Sequence, residues 1–338
     1  MTSPRVAVDA MGGDNAPAEI VSGAAQAAAE GIHVLLVGRE AELKEALNAA
    51  GASTSDTLEL VDAPEVIAMD DPDPARAVRH KRGSSVGVAS RLVRDGRADA
   101  VFSAGSTGAA LAGAVLETGR IRGVGRPAIA LVLPFGDHPT VLLDGGANAD
   151  VRPEHLAGFA VLGSVFAQVR LGLDKPRVGL LSIGEEPGKG NELTAAAYPL
   201  LEAAGVEFIG NVEGRDIPTD SVDVVVTDGF TGNVVLKTLE GFGRFLMGEL
   251  LQVFAASDQA KSAAEVLMPD LLKLASTLSS DSYGGAHLLG VKGVCIIGHG
   301  SSNAEAVRNA LWVASSTVEA GLVSAVTERL GAKKAKED

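Results

Sequence analysis

Six short stretches of this chain hold the residues able to do chemistry, and all six share one character. The first, "VAVDAMGGDNAP", carries Asp9, Gly12, Gly13 and Asp14. The second, "SAGSTGA", offers Ser103, Ser106 and Thr107, and the third, "LLDGGANAD", offers Asp144 and Asn148. "GEEPGKGNEL" holds Lys189 between two glycines, "TDGFTGN" holds Asp228, Thr231 and Asn233, and "GHGSSN" holds His299 and Ser301. Glycine lets backbone N–H groups approach a ligand, and Ser, Thr and Asn add neutral donors at helix starts that already favour anions. Read together, the six describe one donor-rich, largely neutral bowl. Read singly, each is also what a capped helix start looks like.

Familiar phosphate motifs do not account for these loops. The opening loop is not G-x-G-x-x-G, and "GEEPGKGN" has one residue too few between its glycines for a Walker A loop, with Gly190 where Ser or Thr should follow Lys189. The six histidines show no metal-ligand spacing, and with one cysteine no zinc site is expected, so neither metal nor cofactor is called for. Cys295 lies in the apolar run "GVCIIG" and reads as a buried structural thiol.

The loops follow the strands that must position them. "HVLLVG", "ADAVFSAG", "TVLLDGGAN", "RVGLLSIG", "VDVVVTDG" and "GVCIIGHG" are short β-branched runs, and the segments between them have helical apolar spacing. That alternation predicts an α/β fold, a Rossmann-like three-layer α/β/α arrangement with a largely parallel sheet, and ligands beyond the strand ends. No composition break marks a linker, so residues 1–338 are expected to form one catalytic unit with a flexible tail at 331–338, "GAKKAKED". With 338 residues, 46% of them apolar, the chain can bury a substantial core. No run approaches the roughly 18 apolar residues of a membrane span, and the first residues do not read as a signal peptide, which predicts a cytoplasmic protein. A formal charge of -14 opposes general nucleic-acid binding, which depends on Lys and Arg.

The stretches "VAVDAMGGDNAP", "SAGSTGA", "LLDGGANAD", "GLLSIGEEPGKGNEL", "VDVVVTDGFTGNVVLKTLEG", "YGGAHLLGVKG" and "IIGHGSS", in this order across nearly the whole chain, resemble the PlsX family of phosphate acyltransferases. Two positions depart from the family's usual pattern: Ser106 and Ser182 stand where Asn is common. The resemblance implies a fold related to isocitrate and isopropylmalate dehydrogenases and to phosphotransacetylase, and a homodimer. It also implies transfer of the acyl group of acyl-[acyl-carrier-protein] to orthophosphate, in bacterial phospholipid synthesis.

That chemistry needs no covalent intermediate. Phosphate is its own nucleophile, and the leaving thiolate is comparatively stable, its acid having a pKa of about 8.5 on the cysteine model. The enzyme must supply position and charge stabilisation. Lys189, the only cation in the six loops, is then expected to bind phosphate and the developing oxyanion, with Asn233 donating to the same oxygens. The opening loop would present the N–H groups of Gly12 and Gly13, while Asp9 and Asp14 hold it or orient Lys189. Three other assignments remain open: a decarboxylating NAD-dependent dehydrogenase, a phosphotransacetylase acting on coenzyme A thioesters, and a non-enzymatic lipid-binding scaffold.

Two further segments bear on partners. Residues 76–97 carry seven Lys or Arg against Asp95, a local excess that would steer an acidic carrier protein through Arg76, Arg79, Lys81 and Arg82. A solvated helix face is the plainer explanation. Residues 240–281 read as a protruding helical hairpin with Pro269 at a break. By the family resemblance this hairpin is a membrane-contacting tip, with Leu267, Leu271 and Leu274 at the contact, attached peripherally to the inner face of the cell membrane. Its net charge of -3 gives anionic lipid little purchase.

Overall fold

A computed structural model describes residues 3–135, 139–277 and 284–337. The chain first builds β1 (Arg5–Asp9), α1 (Ala18–Ala29), β2 (His33–Gly38), α2 (Glu40–Ala49), β3 (Leu58–Asp62), α3 (Pro74–His80), α4 (Ser85–Arg94), β4 (Ala100–Ser103) and α5 (Thr107–Gly113). It continues through β5 (Ala128–Leu133), β6 (Thr140–Leu143), α6 (Pro153–Leu171), β7 (Arg177–Leu181), α7 (Glu192–Glu202), β8 (Glu207–Val212), β9 (Val224–Val226), α8 (Gly229–Ala255) and α9 (Asp258–Thr277). It then returns through β10 (Ala286–Leu289), β11 (Val294–Ile297), α10 (Ala304–Glu319) and α11 (Leu322–Glu337). Residues 331–337 of the tail expected to be flexible continue α11 as helix, and Asp338 lies outside the described residues.

The strands form one sheet in the order β3-β2-β1-β4-β11-β10-β5-β6-β9-β7-β8. β3, β2, β1, β4 and β11 run parallel to one another. β6, β9, β7 and β8 are likewise mutually parallel. Between the blocks, β10 is antiparallel to β11 and to β5, and β5 is antiparallel to β6. Following these pairings across the sheet, the second block runs opposite to the first. The expectation of one bowl formed by all six loops therefore gives way to two groups: the loops after β1, β4 and β11 leave one edge, and those after β6, β7 and β9 leave the other.

Period-two alternation sorts each strand between two faces. In the first block Val6, Val8, Leu36, Phe102 and Ile296 join Ile20, Val21 and Leu311 in one core cluster. Ala7, Leu35, Val101 and Cys295 join Val86, Ala89 and Ala110 in another on the opposite face. In the second block Val141, Leu143, Leu180 and Val224 pack with Phe159, Leu162 and Leu201. Leu142, Leu181 and Val225 pack with Leu236 and Leu239 of α8. Burying each such Leu, Val or Phe side chain contributes roughly 1.5–3 kcal/mol, and the result is a three-layer α/β/α body.

α8 and α9 follow one another through Ala256 and Ser257. α9 runs without interruption through Pro269, where a break is expected. A proline on an exposed helix face loses one intrahelical bond while water solvates the carbonyl it frees, so the helix can continue. Leu267 is 48% exposed, as are Phe242 and Phe245 at 61% each. Leu271 is partly buried, and the Leu274 side chain lies outside the described residues. Among the described residues no single helix is long and apolar enough to cross a membrane.

Candidate active site

The junction of the two blocks forms a cleft of about 560 Å³. One wall is Gly105, Ser106, Thr107 and Gly108 after β4, with His299 and Gly300 after β11. The other is Gly145 and Gly146 after β6, with Asn233, Leu236, Lys237 and Glu240 of α8. Leu131, Val132 and Leu133 of β5, with Ala286 and Ile297, make an apolar floor. Loops from opposite edges can meet because Leu143, the last residue of β6, pairs with Ala130 in the middle of β5. The β6 loop therefore starts part-way across the sheet face.

The expected site residues divide into those facing the cleft and those behind it. Ser106, Thr107, Asn233 and His299 line it; Asp9, Gly12, Gly13, Asp14, Ser103, Asn148, Asp228, Thr231 and Ser301 do not. In the first block, Asp9 Oδ2 accepts from the Ser103 hydroxyl at 2.7 Å, and Ser103 Oγ accepts from Gly105 N–H at 3.1 Å. A Cβ on Gly12 would stand 2.6 Å from Asp9 Oδ2 and 2.9 Å from the Gly105 backbone, so only glycine allows the β1 and β4 loops to touch. Asp14 N–H donates to Gly300 O at 2.8 Å. The opening loop thus buttresses the wall from behind. Burial raises the Asp9 carboxyl above its ordinary range; the Ser103 hydroxyl opposes this most strongly, with smaller help from Ser85 and the Met11 N–H. Its Oδ1 is left without a hydrogen bond.

The wall this loop supports has unengaged donors. Ser106 is the N-cap of α5 and makes no side-chain cap bond, so the helix start faces the cleft with its own N–H groups. His299 Nδ1 accepts from Ser301 N–H at 3.2 Å and lies 2.7 Å from Ser301 Oγ. This places the proton of a neutral ring on Nε2.

In the second block the loop closes on itself. Asp144, fully buried, accepts from the N–H groups of Ile129, Gly146, Ala147 and Asn148 and from Asn148 Nδ2, at 2.8–3.1 Å. Gly145 N–H donates to Ile129 O. Asn148 is therefore a tie between β5 and β6, its Nδ2 also reaching Pro127 O at 2.8 Å. Asp228 caps α8, accepting from Thr231 N–H and Thr231 Oγ1, each at 2.8 Å. Gly232 sits against the Asp144 carbonyl, where any side chain would collide. This backbone contact brings Asn233 Cβ to 3.6 Å from the position of a Gly146 Cβ.

Lys189 is exposed on the loop after β7, bracketed by Gly188 and Gly190 at positive φ, and does not line the cleft. Lys237, one helical turn beyond Asn233, does. Cys295 is buried, and burial pushes its thiol up to about 12. Among the described residues no cluster of His, Cys, Asp or Glu has the geometry to hold a metal.

Two parallel blocks meeting at a cleft are a fold shared with solved structures of differing chemistry. A phosphotransacetylase from Streptococcus pyogenes superposes with a TM-score of 0.63 at 16% identity, covering 94% of each chain. A 4-hydroxythreonine-4-phosphate dehydrogenase from Klebsiella pneumoniae gives 0.54 at 16% identity, covering 93% of this chain and 98% of that one. At these identities the likeness is one of fold.

The sequence is more specific. The family model described as "Fatty acid synthesis protein" matches residues 4–325. The phosphate acyltransferase of Desulfitobacterium hafniense (strain DSM 10664 / DCB-2) is 49% identical over 328 residues, 96% of this chain and 97% of that protein. The chain belongs to the phosphate acyltransferase family, and it is an acyltransferase.

Proposed function

We propose that the cleft is where orthophosphate attacks the thioester of an acyl-[acyl-carrier-protein], giving an acyl phosphate and free carrier protein for bacterial phospholipid synthesis. A phosphate oxygen forms the new C–O bond, the tetrahedral oxyanion collapses, and the C–S bond breaks with its electron pair leaving on sulfur. The observation that carries this proposal is the two-sided lining. The uncapped start of α5 with Ser106, Thr107 and Asn233 suits an anion, while Leu131, Leu133 and Leu236 suit an acyl chain. Lys189, on the loop after β7, the strand beside β9 that leads into Asn233, is proposed to reach the reacting oxygens from the rim.

Carrier-protein docking is proposed on α3 and its C-terminal turn. Arg76, Arg79 and Arg82 are exposed there. Arg91 and Arg94 pair with Glu117, Arg97 pairs with Glu59, and Lys81 Nζ donates to Val66 O. The free charge is thus concentrated in α3 and the turn after it. Pro74 at the start of α3 would lie 2.6 Å from a Cβ on Gly108, which lines the cleft, so the basic patch adjoins the wall proposed for phosphate. The exposed apolar residues of α8 and α9 support weak, mainly hydrophobic contact of a protruding hairpin with the inner face of the cell membrane. Kinship to isocitrate and isopropylmalate dehydrogenases and assembly as a homodimer complete the proposal.

Incubation of the purified protein with long-chain acyl-[acyl-carrier-protein] and labelled phosphate tests the reaction. Label should enter an acyl phosphate in step with release of free carrier protein. Release that ignores phosphate would refute the proposal, and a preference for acyl-coenzyme A would move it to phosphotransacetylase.

A further inference from the structure

We propose that Lys237 is the cation that binds the attacking phosphate inside the cleft. This rests on the reaction proposed above and names a residue for it that does not come from any strand-end loop. Five observations lead to it. Asn233, Leu236, Lys237 and Glu240 are spaced three, four and seven residues along α8, which puts them on one helical face, and all four line the cleft. Among the described lining residues Lys237 is the only lysine or arginine. It lies about 6 Å along the helix axis from Asn233.

The wall also lacks other means of meeting an anion. Gly145 N–H is engaged by Ile129 O, and Gly146 and Ala147 N–H by Asp144 Oδ1. The donors this side can turn toward a phosphate are therefore side chains, those of Asn233 and Lys237. Finally, the ammonium is positioned but not trapped. Lys237 Nζ sits 3.0 and 3.3 Å from the two oxygens of Glu240, and the two side chains are 50% and 26% exposed. A solvated helix pair of this kind adds little to stability. A phosphate dianion can displace Glu240 from the ammonium, and until it arrives the carboxylate keeps Lys237 turned to the cleft.

The consequence separates two lysines by the kinetic constant each controls. Lys237 binds phosphate before and during the reaction, so its loss should appear in the KM for phosphate; Lys189, if it meets the oxyanion, should appear in kcat. In Lys237→Gln the KM for phosphate should rise about tenfold or more, the scale of losing one charge-assisted hydrogen bond. The KM for the acyl-carrier substrate should stay within about twofold. Lys237→Arg should recover part of the loss, and Glu240→Gln should lower the KM for phosphate by removing the competing carboxylate.

Calorimetric titration of inorganic phosphate into the same variants, without acyl substrate, gives a second readout: weaker binding to Lys237→Gln than to wild type is expected. Unchanged phosphate binding and KM in Lys237→Gln would overturn the proposal and leave the Lys237 and Glu240 pair as a surface helix bridge. A rise confined to the KM of the carrier substrate would also overturn it, assigning the lysine to the phosphate of the carrier's prosthetic group. If wild-type protein releases no carrier protein in response to phosphate, the reaction itself is wrong, and the titration still decides whether Lys237 binds phosphate.

Discussion

Asp9 and Asp144 occupy matching places in the two blocks of the sheet. Each ends a buried β-branched run, each precedes a pair of glycines, and their exposures are 2% and 0%. Their surroundings differ. Asp144 collects five N–H donors and gathers its own loop around the carboxylate. Asp9 has one close donor, Ser103, and its loop reaches outward to Gly105 and Gly300. An acid followed by glycines is thus not in itself an anion cradle. In one block it uses up the loop's donors, leaving the ligand to the side chains of α8. In the other it braces a neighbouring loop whose helix start stays open to the cleft.

Asp144→Asn is the most damaging way to probe the difference. The amide would turn an N–H group toward backbone N–H groups that have no other acceptor. Each buried donor left unsatisfied costs about 1–3 kcal/mol, and Asp144→Asn should lose about 3 kcal/mol or more of unfolding free energy in a denaturant titration. A loss below about 1 kcal/mol would mean that water reaches these donors.

Next in size is the rim of the second block, where side chains must do the binding. If Lys189 meets the oxyanion, Lys189→Ala should lower single-turnover release of carrier protein on the order of a hundredfold with phosphate saturating. Because Lys189 is exposed, stability should move by less than about 0.5 kcal/mol. Release near the wild-type rate would confine charge stabilisation to the cleft lining. The first block should respond more mildly. There the helix start supplies N–H groups that mutation cannot remove, and Ser106→Ala should lower kcat/KM less than about tenfold. A hundredfold loss would make the Ser106 hydroxyl, and not the helix start, the principal donor of that wall.

How far these differences are legible in the sequence depends on whether the cause is local. "HVLLVG", "RVGLLSIG" and "GVCIIGHG" contain His33–Gly38, Arg177–Leu181 and Val294–Ile297, because a strand buried on both faces must be apolar throughout. Strand direction has no such mark. Val141 or Val224 looks the same whichever way its neighbour runs, so six similar loops read as one bowl when they leave opposite edges of the sheet. Asp9 and Asp144 look alike for the same reason: their donors come from residues such as Ser103 and Ile129, distant in sequence. Lys237 escapes a search that stops at strand ends. Its signal is the four-residue spacing from Asn233, readable only once α8 is known to point that face into the cleft.

The same amide substitution at Asp9 should have the smallest effect, and its pH dependence is the sharpest test of the comparison. Burial places the folded-state titration of Asp9 above the ordinary value of 3.8. Below 3.8 the carboxyl is protonated in both states, and the stability linked to the bound proton is fully present. As pH rises through the raised folded value, that contribution is lost, because the folded protein must then hold a buried charge with few donors. Asp9→Asn carries no charge at any pH and can still accept from the Ser103 hydroxyl. At pH 7 its stability should lie within about 1 kcal/mol of wild type or above it. The decline in wild-type stability as pH rises from 3.8 should flatten in the variant. Thermal unfolding of both proteins across that range measures this. If Asp9→Asn is instead as destabilising at pH 7 as Asp144→Asn, Asp9 has a full set of donors in solution and the two loops are equivalent after all.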